Sequence, residues 1–94
     1  MPRPALIDES NNNSLRYVVK IREKPVLAFV GSVIDGHYVL SRDDYDHKGM
    51  VCNHSAFGVS HTPREAADRL KGYLRLSIFG NALKEEIERM SFPK

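Results

Sequence analysis

The sequence predicts an α+β domain: an antiparallel meander of three or four strands, followed by two C-terminal helices packed on one face. Three observations carry that expectation. Asp35-Gly36 separates two β-branched and aromatic runs, Val26 to Ile34 and His37 to Arg42. Leu15 to Arg22 alternates apolar and polar residues with a period of two. Thr62-Pro63-Arg64-Glu65 opens a stretch whose apolar residues recur at helical spacing.

Residues 1–14 hold two prolines and then Glu-Ser-Asn-Asn-Asn-Ser, which has no hydrophobic period. They are expected to form a polar leader, with Ala5-Leu6-Ile7 as an anchor, ahead of a single domain over residues 15–94. In the first strand Leu15, Tyr17, Val19 and Ile21 take one face and Arg16, Val18, Lys20 and Arg22 the other. Glu23-Lys24-Pro25 is expected to be a three-residue loop. That loop pairs Ile21 with Leu27, Val19 with Phe29, Tyr17 with Gly31 and Leu15 with Val33. A two-residue loop would set Lys20 and Arg22 beside Phe29 and Leu27, burying charge at roughly several kcal/mol.

Asp-Gly is the strongest short signal for a type I′ hairpin, because both central residues need positive φ. A two-residue loop then pairs Ile34 with His37, Val33 with Tyr38, Ser32 with Val39, Gly31 with Leu40 and Phe29 with Arg42. One face carries Leu27, Phe29, Val33, Tyr38 and Leu40, which is the better core. The other carries Val26, Ala28, Val30, Ser32, Ile34, His37, Val39 and Ser41. Residues 42–49 are expected to form a loop, and a weaker strand runs from Met50 to about Ser60. Thr62 can cap the first helix with Pro63 at its first position and Glu65 completing a capping box. Gly80-Asn81 ends it, Asn81 caps the second helix, and Ile78 and Phe79 lock the corner. Leu83, Ile87 and Met90 form the second stripe.

Composition bounds the function. The 94 residues are 41% hydrophobic and 28% charged with a net charge of +2, as in a folded domain with one modest core. No apolar run approaches the roughly 20 residues that span a bilayer. Neither a secretory leader nor a disulfide is expected, Cys52 being the only cysteine, so a cytoplasmic setting is the default. No block of the chain is basic enough to announce a nucleic-acid arm.

Candidate chemistry is thin. His47, His54 and His61 recur every seven residues and Cys52 precedes His54 by two. Yet a spacing of seven alternates faces on a strand and matches no zinc framework. Asp43, Asp44 and Asp46 lack the remaining ligands of a calcium loop. Surface His and loop-forming Asp is the plainer account, and neither metal nor cofactor is expected. Ser41, Ser55 and Ser60 lie in no nucleophile elbow, and Cys52 has no defined base. An enzyme is not expected.

The open sheet face is the feature left. Arg16, Lys20, Arg22 and Arg42 border a strip of Val18, Val30, Ile34, His37 and Val39. Exposed apolar area of this kind marks an interaction site. The expectation is a protein-binding module: a stoichiometric inhibitor, adaptor or regulator of a larger complex, with the leader and the 43–49 loop as secondary contacts. Two plainer accounts stand beside it, that Lys and Arg stems cover the valines, or that the face pairs with a second copy. Electrostatic nucleic-acid binding is the alternative of another class. It is disfavoured because Tyr17, Phe29 and Tyr38 point into the core instead of offering bases a stacking surface. A meander followed by a capped helix also occurs in small antitoxin-like proteins and phage-encoded inhibitors of bacterial defence complexes, an analogy of architecture that carries no residue.

Overall fold

The computed structural model describes residues 2–90. Five strands form one antiparallel sheet in chain order: β1 (Ala5–Asp8), β2 (Ser14–Ile21), β3 (Lys24–Ile34), β4 (His37–Tyr45) and β5 (Val51–Ser60). Helix α1 (Pro63–Leu76) lies on one face, and the short α2 (Lys84–Glu88) packs beside it. The class is the expected α+β meander with helices on one side, but with five strands where three or four were expected. The extra strand comes from residues 1–14. Ala5, Leu6 and Ile7 pair with Lys20, Val19 and Val18, and Leu6 packs on the main core. Four residues are too few for a periodic signal.

The central hairpin has the predicted register from Ile34–His37 to Phe29–Arg42, closed by Asp35 and Gly36 at φ 51° and 79°. The β2–β3 connection differs from expectation. Its turn holds two residues, Arg22 and Glu23, both at positive φ (53° and 68°). Lys20 pairs with Pro25 but Val19 pairs with Leu27, so Val26 is the extra residue of a bulge. The bulge restores the side-chain parity that a two-residue turn would otherwise invert. Lys20 and Arg22 therefore escape the burial that a two-residue turn on an uninterrupted ladder would impose. Tyr17 consequently opposes Phe29, and Leu15 opposes Gly31. Val26 turns to the helix side, where it packs on the main core. The atoms nearest to a Cβ at Gly31 belong to Leu40, Leu70 and Leu15.

The main core joins Leu15, Tyr17, Val19, Leu27, Phe29 and Leu40 to Ala66, Ala67, Leu70 and Leu74 of α1, and to Leu83 and Ile87 near α2. Helix α1 starts as its sequence requires: the Thr62 hydroxyl accepts from the Glu65 N–H at 3.1 Å, with Pro63 leading the first turn. It ends earlier than expected, at Leu76, where the Ser77 hydroxyl and N–H both donate to the Leu74 carbonyl (2.7 and 3.2 Å). Asn81 does not cap α2; Leu83 holds that position, without a side-chain bond. Phe79 packs on the core, whereas Ile78 is 89% exposed and locks nothing. The expected 42–49 loop is shorter too, since β4 continues through Asp43, Asp44 and Tyr45. The reversal is built on Asp46, whose carboxylate accepts from the N–H groups of Lys48 (2.9 Å) and Met50 (3.0 Å).

Candidate functional site

Two surfaces compete, one on each side of the sheet. The side away from α1 carries the residues singled out from the sequence. Arg16, Val18, Lys20, Val30, Ile34, His37 and Val39 do share it, as parity requires. Arg22 does not, because it sits in the β2–β3 turn. Arg42 does not either. It pairs with Phe29, so its side chain falls on the helix side, with its guanidinium 5.8 Å from the Phe29 ring centre and donating to Asp44 at 3.0 and 3.1 Å. Its placement follows from the hairpin register itself: residue 42 has the parity of Tyr38 and Leu40.

One end of the apolar strip on this face is covered by the chain's own side chains. Val18 is 1% exposed, Ala28 0% and Val30 8%, forming a second small core on which Tyr45 packs. Tyr45 is held there by a hydrogen bond from the Arg16 guanidinium to its hydroxyl. The basic border is also neutralised. Glu9 lies 3.1 Å from Lys20 and 3.4 Å from Arg16, while Asp43 is 4.0 Å from Arg16 and 2.5 Å from His54. The hydrogen bond from Lys20, with Arg16 adding to it, holds the Glu9 carboxyl below its ordinary range. Ile34 and His37 remain exposed at the far end of the face.

Comparison with known proteins gives no match. No family model, curated protein or solved structure is similar to the chain at a significant level. The surface itself has to carry the argument.

The helix side offers what the sequence did not single out. Helix α1 lies mainly over β3, and a groove of about 260 Å³ runs between its C-terminal end and strands β3 to β5. Phe29 and Phe57 form its floor, Tyr73 and Leu76 its wall, and Arg42 and Ser77 its rim. The Phe57 and Tyr73 rings stand 4.2 Å apart, and Phe29 stacks on Tyr73 at 6.2 Å. Phe57 reaches this place because it is the extra residue of a bulge between the pairs Ser41–Ala56 and Leu40–Gly58. Gly58 makes room for Arg69, whose guanidinium donates to the Val59 carbonyl at 2.8 Å; a Cβ at Gly58 would stand 2.4 Å from that guanidinium.

Beside the groove, Leu76 is 85% and Ile78 89% exposed. Strand β5 adds an open edge: Val51 to Ala56 are all exposed, and Met50 to Ser60 contain no Asp, Glu, Lys or Arg. Natural edge strands are commonly blunted by charge. Here the strand carries two bulges, at Phe57 and at Cys52.

The metal candidates are scattered. Among the described residues no group of three or more His, Cys, Asp and Glu side chains converges. His54 Nδ1 faces Asp43, and the exposed Cys52 turns its thiol to the Asp44 carbonyl at 3.5 Å. No described helix is long and apolar enough to cross a membrane.

Proposed function

We propose that the protein acts by binding another protein, as a stoichiometric inhibitor, adaptor or regulator, and not by catalysis. The docking surface is the β5 edge together with the groove at the C-terminal end of α1. The observation that carries this is the pair Leu76 and Ile78. Two large aliphatic side chains stand almost wholly in water next to an aromatic groove. Covering each would recover about 1.5–3 kcal/mol of hydrophobic free energy. An uncharged strand edge alongside supplies free backbone donors and acceptors for an added strand. Such contiguous exposed apolar area marks interaction sites.

The opposite face is the weaker candidate. Val18 and Val30 are already buried and Arg16 and Lys20 already paired, so a partner would have to displace Glu9 and Tyr45 before touching them; what stays open is the end with Ile34, the half-buried Val39 and Val59.

The test compares two double variants for the proteins they retain from the source cell. Leu76→Ser/Ile78→Ser should fold normally, since both side chains are exposed, and should lose the partners that the wild type holds. Arg16→Glu/Lys20→Glu should keep them. Capture unchanged in the first variant and lost in the second, with both folded by circular dichroism, would return the site to the other face.

A further inference from the structure

His37 opens β4 immediately after the type I′ turn, and His61 follows the last residue of β5. Tyr38 pairs with Ser60, so the next pair outward is His37 with His61. Tyr38 packs on the main core, and Ser60 is fully buried and bonded to Arg69 of α1. Both histidines therefore belong to the opposite face, where both are exposed. Their Nδ1 atoms are 3.1 Å apart, with ring centres at 5.0 Å and planes at 78°.

As a hydrogen bond this contact needs one Nδ1–H and one Nδ1 lone pair. With both Nδ1 atoms deprotonated, two imidazole nitrogen donors sit at the separation that a shared metal ion sets. At metal–nitrogen distances of about 2.05 Å, a right-angled pair of ligands stands about 2.9 Å apart and a tetrahedral pair about 3.3 Å. The observed 3.1 Å lies between the two. The supporting backbone is held on both sides, by the Asp35-Gly36 turn before His37 and by the Thr62 cap after His61. Little chain entropy remains to be lost on binding.

We propose that His37 and His61 form a two-histidine site for an imidazole-preferring divalent transition metal such as Zn²⁺, Ni²⁺ or Cu²⁺. Water completes the coordination sphere, because both rings face solvent. His54 is not part of it: its Nδ1 is engaged by Asp43, which also faces Arg16. This site is separate from the β5–α1 docking surface, and the two proposals stand or fall independently.

The experiment titrates tag-free protein with ZnCl₂ and with NiCl₂ by isothermal calorimetry, with thermal melting in parallel. The expected result is about one ion per chain, at least tenfold weaker binding in both His37→Ala and His61→Ala, and binding within twofold of wild type in His47→Ala and His54→Ala. Affinity should fall as pH is lowered, because both imidazoles must be neutral to bind. No heat and no melting shift with either metal at 100-fold excess would overturn the proposal. So would binding that survives either of the first two substitutions.

Discussion

Two glycines in the C-terminal third predict opposite outcomes for the same substitution. Gly80 lies in the turn after α1, where its N–H donates to the Ser77 carbonyl at 3.0 Å. A Cβ there would stand 2.0 Å from the Arg75 carbonyl oxygen and 2.7 Å from its carbonyl carbon. Both are backbone atoms, so no side chain can swing away. Relief requires the end of α1 and the following turn to separate by about 1 Å, disturbing how Phe79 and Leu83 meet the core. Overpacking of this kind destabilises by about 1–3 kcal/mol, and collision with backbone puts Gly80→Ala at the upper end. For a domain of this size that lowers Tm by roughly 12–24 °C, at about 4–8 °C per kcal/mol. Gly72 lies inside α1 with nothing within 4 Å of an added Cβ. Gly72→Ala should therefore stabilise by about 0.5–1 kcal/mol, through helix propensity and a less flexible unfolded chain. Thermal and urea unfolding followed at 222 nm read both variants. A Gly80→Ala protein melting within about 3 °C of wild type, or below Gly72→Ala by only that margin, would refute the steric account of this corner.

Two further outcomes concern the opposite face. Tyr45→Ala removes the ring that packs on Val18, Ala28 and Val30 and should lower stability by about 1–2 kcal/mol, less than a fully buried aromatic; a urea midpoint equal to wild type would mean that Tyr45 does not cover the strip. Glu9, whose carboxyl is held below its ordinary value of 4.5, contributes stability above that pH and loses it as the carboxyl takes up a proton at lower pH. Wild type and Glu9→Gln should thus differ by under about 1 kcal/mol near neutral pH, converge as pH falls below the usual carboxylate range, and converge at any pH in about 0.5 M salt. A gap that persists at low pH would contradict the assigned ion pairs.

Local chemistry was enough for the parts of the fold that depend on neighbours in sequence. The Asp35-Gly36 turn, the faces of β2 to β4 and the Thr62 cap each rest on residues within a few positions of one another. Parity then decided which face α1 would cover, since only one face carries Phe29, Tyr38 and Leu40. What local pattern could not show was where a ladder is interrupted. The bulge at Val26 combines a two-residue turn with unchanged parity, and the bulge at Phe57 turns that ring into the groove. Both depend on cross-strand packing that no single strand encodes.

The candidate site followed the same division. The alternation of β2 placed Arg16, Val18 and Lys20 on one face correctly, and the hairpin register already put Arg42 on the other. Whether that face stays open depended on Tyr45, Glu9 and Asp43, which arrive from β4 and from the segment after β1. The exposure of Leu76 and Ile78 and the meeting of His37 with His61 have the same origin. In sequence, Ile78 looks like a core residue, and the histidines are 24 positions apart. Alternation of side chains along a strand is dictated by backbone geometry, so the order of residues alone determined the faces. Burial and proximity arise from which elements come together in space, and only the assembled structure decided those.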